Sequence, residues 1–332
     1  MLTLRGRPAG RRRALRSAAA VLAALALLAW WLLPDAGPRP GGRITFATGS
    51  PTGVYERYGA LLQDRVRAKL PRVEMALMPS QGSVQNIERV VAGTADFTIA
   101  QADAVAAHLA AGGRGAAGLR ACARLYDDYV QLIVPGGSPV REAADLRGLR
   151  VGVGPLRSGV RPIARRVLTA AGLDPDRDVT AVHEGIDTMP ALLESGRLDA
   201  FFWTGGLPTS AVQRLAARTD VRLVGLGGLV PALHAQAPEA RHYRAAVLPA
   251  DAYPNVRGGR AVETIAVANL LVTDERVDAD VAEELTRVLI GSRDRIAREV
   301  HAAQRVDLRT AIYTDPLPLH TGAQRYYRAV KP

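Results

Sequence analysis

Hydrophobic positions after residue 42 follow two alternating patterns. Short apolar runs, typical of buried strands, are each followed by a segment whose apolar residues recur at helical spacing. This alternation predicts parallel sheets with crossover helices. We expect strands at residues 44–48, 73–78, 96–100, 129–134, 150–153, 179–183, 200–203, 221–226 and 264–272. We expect helices at residues 58–70, 83–92, 103–111, 158–171, 188–195, 209–218 and 280–303, with an irregular stretch at 228–260.

The strands and helices form two successive series, which a return strand and a long C-terminal helix follow. The chain would cross between the series at about residues 128–134 and again at about 264–272. This order predicts a bilobed α/β fold with two crossover strands.

The N-terminus carries an apolar run from Ala18 to Leu33, between a group of arginines and Pro34. A helix of this length rises about 24 Å, which lies between a signal-peptide core and a full membrane span. Trp30 and Trp31 fit an interfacial aromatic belt, and neither a small-residue cleavage site nor a lipoprotein cysteine follows. We therefore favour a retained anchor, with a cleaved signal as the alternative. The resulting segments are a cytoplasmic arginine-rich segment (1–16), a transmembrane anchor or signal (17–34), a linker (35–42) and a periplasmic part (35–332).

The net charge of +11 is concentrated at the N-terminus. Residues 1–16 hold six of the 43 basic residues and no acidic one, which leaves 37 basic against 32 acidic residues. No basic run with interleaved aromatic residues follows, so the sequence does not predict nucleic-acid binding. The one cysteine, Cys122, excludes an internal disulfide and a cysteine-based zinc site.

Catalytic signatures are missing from the sequence. GxSxG, HExxH and the phosphate-binding P-loop do not occur, and Gly152-x-Gly154 lacks the third glycine of a dinucleotide loop. Asp127 and Asp128 are adjacent on a predicted strand and lie on opposite faces, so they cannot act as a pair. We predict a non-enzymatic protein that needs no metal and no cofactor.

Glycine-rich or polar turns recur just after a strand and just before a helix. They lie at residues 48–55, 80–83, 101–103, 155–159 and 204–206. In open α/β sheets, ligands bind at the carboxyl ends of the strands, where helix N-termini offer free N–H groups. Glycines after strands are also common as ordinary turn residues, and Ser83 could just as well be a helix N-cap. The set of five turns nevertheless predicts a site for a small carboxylate.

Five segments of the sequence resemble one protein family. They read ITFATGSPTGVYERYG, SQGSVQNIERVVAGTADFTIAQAD, DLRGLRVGVG, SGRLDAFFWTGGLPT and PLPLHTGAQRYYRAV. Together they resemble the TAXI family of extracytoplasmic solute receptors, which serve tripartite ATP-independent periplasmic (TRAP) transporters. The resemblance runs from about residue 43 to 330, and it implies a type II periplasmic-binding-protein fold without catalysis. Lobe 1 would comprise residues 43–131 and 269–332, and lobe 2 residues 132–268.

The resemblance also implies a ligand class, partners and binding residues. The ligand would be a small anionic organic solute, either a glutamate-like amino acid or a dicarboxylate, and the partners TRAP membrane subunits. Ser83 and Asn86 match a Gly-Ser-x-x-Asn element, and Gln101 matches a glutamine that precedes an aspartate by two residues. The expected ligand-binding residues are Gly49, Ser50, Thr52, Gly53, Val54, Tyr55, Ser83, Asn86, Gln101, Arg157, Ser158, Gly159, Arg161, Thr204 and Gly205.

The second lobe departs from the family at one loop. The family's Gly-Ser-Gly-Thr reads Arg157-Ser158-Gly159-Val160 here, so a threonine hydroxyl is lost. Arg157 and Arg161 add positive charge nearby, which favours a more acidic ligand.

Two other function classes remain as alternatives. A membrane-tethered sensor or assembly subunit would use the same lobes to signal rather than to transport. An enzyme on this fold would need a nucleophile or an acid–base pair in the cleft, and the sequence indicates neither.

Overall fold

The computed structural model describes residues 40–113 and 115–330, in which strands and helices alternate. The strands are β1 (Gly42–Ala47), β2 (Val73–Met78), β3 (Phe97–Gln101), β4 (Leu119–Pro135), β5 (Arg150–Gly152), β6 (Thr180–Val182), β7 (Ala200–Gly205), β8 (Val221–Val224), β9 (Tyr243–Leu248) and β10 (Val262–Asp274). The α-helices are α1 (Val54–Lys69), α2 (Ser83–Val91), α3 (Ala102–Ala110), α4 (Val160–Ala170), α5 (Met189–Glu194), α6 (Ser210–Arg218), α7 (Val230–His234), α8 (Ala279–Gly291), α9 (Arg293–Ile296) and α10 (Thr321–Val330). Short 3₁₀ helices lie at Ala116–Gly118, Ala143–Leu146, Gly227–Leu229, Pro238–His242, Ala250–Ala252 and His301–Arg305.

The long strands β4 and β10 pair antiparallel at the centre of one sheet, whose order is β2-β1-β3-β10-β4-β7-β5-β6. β1 pairs parallel with β2 and β3, and β5 pairs parallel with β6 and β7. Two three-stranded parallel sets therefore flank the antiparallel pair. β8 and β9 pair with β4 and β10 outside this path. The two crossing strands expected from the sequence correspond to β4 and β10, which are both longer than predicted.

The hydrophobic core lies on both faces of this sheet. Near β1 and β3, Phe46, Phe97 and Tyr126 are fully buried beneath α1 and α8. Near β5 and β7, Phe202 and Ile163 anchor a second cluster. Each crossover helix packs one apolar face on the sheet. Because it connects the end of one parallel strand to the start of the next, it begins at the edge where the preceding strand ends. This packing aligns the helix N-termini along the carboxyl edge of the sheet.

Two sequence expectations differ from the structure. The helix expected at 280–303 ends at Gly291, and the chain turns at Ser292 before the short helix α9. Glycine has a low helix propensity, and the turn lets Val300 and Ala303 reach the core. The stretch expected to be irregular at 228–260 contains β9, an edge strand that pairs with β10 and has few buried residues. A short strand with few buried positions lacks the apolar alternation that would reveal it.

The expected membrane segment at 17–34 lies outside the described residues, as do the segment 1–16 and nearly all of the linker 35–42. Within residues 40–113 and 115–330, no helix combines the length and the apolar composition needed to cross a bilayer.

Candidate functional site

A cavity of about 300 Å³ lies where β1, β2, β3, β5, β6 and β7 end. This volume is at the lower end of the roughly 300–1,000 Å³ that small-molecule sites span. The wall consists of Gly49, Ser50, Pro51, Gly53, Val54, Tyr55, Ser80, Gln81, Gly82, Ser83, Gln101, Asp128, Pro155, Ser158, Gly159, Val160, Gly185, Ile186, Asp187, Thr188, Trp203, Thr204 and Gly205. The location agrees with the rule that ligands bind beyond the carboxyl ends of the strands in open α/β sheets.

Four helix N-termini converge on this cavity. The residues that precede α1, α2, α3 and α4 are Gly53, Gly82, Gln101 and Gly159, and all four line the wall. None of them caps its helix with a side-chain hydrogen bond. Two first-turn N–H groups already have partners, because that of Gln85 donates to the Arg157 carbonyl at 3.0 Å and that of Arg161 to Ser158 Oγ at 3.3 Å. The remaining first-turn N–H groups contribute partial positive charge at the cavity, which favours an anionic group there.

Two glycines, Gly82 and Gly159, allow the turns that precede α2 and α4 to lie close together. Gly82 has a φ of 128°, a conformation that favours glycine. A Cβ on Gly159 would lie 1.9 Å from Gln101 Oε1 and 3.0 Å from Ser83 Oγ. Any side chain at residue 159 would therefore displace the Gln101 side chain.

Four adjacent strands supply the buried polar base of the cavity. Gln101 ends β3, Asn269 lies opposite it on β10, and Asp128 and Thr204 lie on β4 and β7. The Gln101 amide nitrogen donates to Asp128 Oδ2 at 2.9 Å and to Thr204 Oγ1 at 3.0 Å. The Tyr55 hydroxyl donates to Asn269 Oδ1 and lies 3.4 Å from Asp128 Oδ2.

Burial has the largest effect on the pKa values of the side chains at the base of the cavity. It raises the pKa of the Asp128 carboxyl to about 6, although hydrogen bonding to Gln101 opposes the shift. Burial and the nearby Asp128 charge raise the pKa of Tyr55 well above its usual range. At neutral pH, Asp128 is therefore a desolvated carboxylate, and Tyr55 is a neutral phenol.

A profile of the NMT1-like family matches residues 46–330, which is most of the chain. The chain belongs to the NMT1-like family. Solved structures similar to it include an ancestral arginine-binding protein bound to arginine, which is 16% identical with a TM-score of 0.51 over 79% of this chain and 99% of that chain. A putative L-cystine ABC transporter from Listeria monocytogenes is 14% identical, with a TM-score of 0.50 over 80% and 98%. The periplasmic aliphatic sulphonate binding protein SsuA from Escherichia coli is 15% identical, with a TM-score of 0.48 over 88% and 84%.

The likenesses with TM-scores of 0.51 and 0.50 show the fold of the NMT1-like protein. It is an α/β periplasmic-binding-protein-like fold, as the sequence predicted, and it matches the fold of non-enzymatic solute-binding proteins. Within the described parts of this chain, no group of three or more His, Cys, Asp or Glu side chains is placed to hold a metal ion.

Eleven of the expected binding residues of the NMT1-like protein lie together at the cavity wall. They are Gly49, Ser50, Gly53, Val54, Tyr55, Ser83, Gln101, Ser158, Gly159, Thr204 and Gly205. Besides those of Tyr55 and Thr204, two more of their hydroxyls already have protein partners. Ser83 Oγ accepts from the Gln101 backbone N–H at 3.2 Å, and Ser158 Oγ donates to the Pro155 carbonyl at 2.8 Å.

Thr52 and Asn86 lie outside the wall of the cavity. Thr52 is exposed at the rim and donates a hydrogen bond to Asp187. Asn86 is fully buried, and its amide donates to the carbonyls of Thr48 at 2.7 Å and Ile99 at 3.1 Å. It therefore holds the ends of β1 and β3 together behind the cavity.

The two arginines that favoured an acidic ligand also lie outside the wall. Arg157 is exposed and forms an ion pair with Glu88. Arg161 lies along a separate groove with Arg165 and Asp176. Their positions therefore provide no positive charge at the cavity wall.

Arg157 instead belongs to a contact between the β2–α2 turn and the β5–α4 turn. Its backbone N–H donates to Gln81 Oε1 at 3.0 Å, and its carbonyl accepts from the Gln85 N–H at 3.0 Å. Together with the Arg157–Glu88 pair, these bonds close one side of the cavity.

Sequence reasoning missed several residues of the wall, above all Asp128 and Trp203. The argument that Asp127 and Asp128 lie on opposite faces of a strand agrees with the structure, where Asp127 pairs with Arg124 and Arg244 away from the cavity. The missed signal was an acidic residue inside a long apolar strand, because a buried charge needs a partner. Asp187 and Thr188 follow β6 in a turn that was not among the five.

A larger groove of about 1,020 Å³ lies beside β8 and β9. Its wall includes Arg141, Arg222, Arg257 and Arg260, and it contains none of the expected binding residues. The smaller cavity is the better candidate because helix N-termini and buried polar side chains converge there.

Proposed function

We propose that this protein is an extracytoplasmic solute receptor of the TAXI type, which binds a small carboxylate-bearing solute and delivers it to a TRAP-type membrane transporter. The convergence of four helix N-termini on one cavity of about 300 Å³ carries the proposal. A carboxylate there would accept hydrogen bonds from first-turn N–H groups other than those of Gln85 and Arg161, which already have acceptors.

The cavity walls supply both orientation and desolvation. Thr204 adds a hydroxyl, while Val54, Val160, Ile186 and Trp203 provide apolar surface. A few placed polar groups within apolar walls are typical of sites that fix the orientation of a small ligand. Once closure excludes water, hydrogen bonds to the solute would be stronger than at an open surface.

We infer that the two lobes part to admit the solute and close to retain it. The bonds of Arg157 to Gln81, Gln85 and Glu88 join two turns that lie in separate lobes of the predicted organisation. Breaking them would part the β2–α2 and β5–α4 turns. Binding by closure of two lobes about the paired strands β4 and β10 fits this arrangement.

The delivery step and the location rest on the sequence. The resemblance to TAXI receptors supports a periplasmic protein that serves TRAP membrane subunits. The arginine-rich segment 1–16 and the apolar segment 17–34 support retention at the inner membrane.

Native mass spectrometry of the full-length protein tests the binding claim. We expect one co-purified small molecule per chain, lost in Gly159→Ala because the new Cβ would displace the Gln101 side chain from the cavity wall. Gly228→Ala is the matched control, since Gly228 is exposed and a Cβ there meets nothing within 4 Å. Absence of any bound solute, or its retention in Gly159→Ala, would contradict the assignment of the cavity. Uptake of that solute into vesicles that hold TRAP membrane subunits should depend on this protein.

A further inference from the structure

The groove beside β8 and β9 gathers positive charge around one half-buried side chain. Arg222 lies on β8, and its Nη2 donates to the carbonyls of Ser138 and Val140. These bonds hold the guanidinium at the groove wall without neutralising it. Burial lowers the pKa of Arg222, and the positive charges of three other wall arginines lower it further. These are Arg141, Arg257 and Arg260.

Few carboxylates offset these charges. Asp220 pairs with Arg257 at 3.0 Å, and Glu263 is the acidic residue of the described groove wall. Among the residues that the structure describes, no carboxylate forms an ion pair with the other three arginines, which are Arg141, Arg222 and Arg260. The groove therefore has an excess of positive charge.

This excess favours a compact anion. Like charges held close together repel one another, and a cleft lined by charge of one sign attracts counter-ions. Guanidinium groups bind phosphate oxygens through paired N–H groups. Because three charges act on the single guanidinium of Arg222, one group with two or more negative charges suits them better than carboxylates spread along a peptide. The phosphodiester of a lipid headgroup has only one negative charge, and so it suits them less well.

The groove is larger than a phosphate group alone requires. Its volume of about 1,020 Å³ lies at the upper end of the roughly 300–1,000 Å³ that small-molecule sites span. Leu248, Val256 and Val262 supply apolar surface along its wall. An organic body attached to the phosphate would therefore find both space and apolar contacts.

We propose that this groove is a second binding site, for a soluble molecule that carries a phosphate or diphosphate group with at least two negative charges. Arg141, Arg222 and Arg260 bind that group, and the rest of the molecule contacts the apolar part of the wall. The groove and the solute cavity share no wall residue. The inference therefore goes beyond the receptor function and does not depend on it.

Calorimetry on the full-length protein tests the site at neutral pH in buffer free of divalent cations. Three probes vary how the negative charge is distributed. Inorganic diphosphate is compact and multiply charged, dimethyl phosphate has one charge, and a tetraglutamate peptide spreads its charges along a chain. We expect one diphosphate per chain, and binding of the other two probes that is weaker by about tenfold or more.

Substitutions of the two exposed, unpaired arginines locate the binding. Arg141→Gln and Arg260→Gln should each weaken diphosphate binding by about tenfold or more, because each removes a charge-assisted contact. Neither side chain is buried, so the fold should tolerate both changes. Arg214→Gln is the matched control, since this exposed arginine of α6 lies outside the groove wall. It should bind diphosphate like the wild type.

Gly159→Ala separates the groove from the solute cavity, whose helix N-termini also attract anions. It should bind diphosphate like the wild type. Failure of diphosphate to bind, wild-type affinity in Arg141→Gln or Arg260→Gln, an equal loss in Arg214→Gln, or loss of binding in Gly159→Ala would overturn the inference. Tighter binding of tetraglutamate than of diphosphate would also overturn it, and would indicate an acidic protein partner instead.

Discussion

Replacing Asp128 by Asn should change how the stability of the protein depends on pH. Burial raises the pKa of the Asp128 carboxyl from 3.8 to about 6, against opposing hydrogen bonds from Gln101, Asn269 and Tyr55, and nearby Asp103 raises it further. The pKa of the folded state therefore lies above that of the unfolded chain. The stability contributed by this group is complete below pH 3.8 and is lost as pH rises through about 6.

The magnitude follows from the pKa shift. A shift of about two pKa units corresponds to about 3 kcal/mol of stability lost once the carboxyl is fully ionised. Roughly 1 kcal/mol of this stability is already lost at about pH 4.5. The wild type therefore loses about 2 kcal/mol more between that pH and about pH 7.5. Because Asn cannot ionise, the Asp128→Asn variant does not lose this stability as the pH rises. Relative to the wild type, Asp128→Asn should therefore gain about 2 kcal/mol of unfolding free energy between these pH values.

Urea denaturation of the ligand-free protein at both pH values measures this difference. Comparing each variant with the wild type at the same pH cancels the other titrating groups. Asp127→Asn should show no such gain, because its carboxylate pairs with Arg124 and Arg244. A difference between Asp128→Asn and wild type that is constant across this range would refute a desolvated carboxylate at the base of the cavity.

Two further outcomes follow from the geometry. Arg157→Gln and Glu88→Gln should each change solute affinity less than about threefold, since this exposed pair lies outside the wall, whereas a loss of about 30-fold would indicate direct contact with the solute. Solute at 100 times its Kd should stabilise the protein by about 2.7 kcal/mol, and a calorimetric Tm that is independent of solute concentration would count against binding to the folded state.

The alternation of strands and helices and the location of the cavity could be predicted from the sequence, because they depend on local patterns. Apolar periodicity located most helices to within a few residues, and the turns after strands identified much of the wall. For example, Ser83, Asn86, Ile87 and Val90 are the buried residues of α2, and they recur at helical spacing. The break at Gly291 was missed because tertiary packing beyond that residue decides where the helix ends.

The electrostatics of the site could not be predicted because they depend on contacts between distant segments. Arg157 lies in the expected loop, yet its partner Glu88 is 69 residues away, and the pair lies outside the cavity wall. Asp128 lies in the wall because of the register of β4 with β10 and β7, which no local pattern reveals. Strand pairing thus determines which charge reaches the cavity.

A crystal structure of the full-length protein with its co-purified solute tests the central claim most directly. The account predicts electron density for one small molecule in the cavity formed by the turns before α1, α2 and α4. A carboxylate of the solute should lie at the helix N-termini, about 3 Å from their backbone nitrogen atoms. Solute bound in the arginine-lined groove beside Arg222, with the cavity filled only by water, would contradict the account.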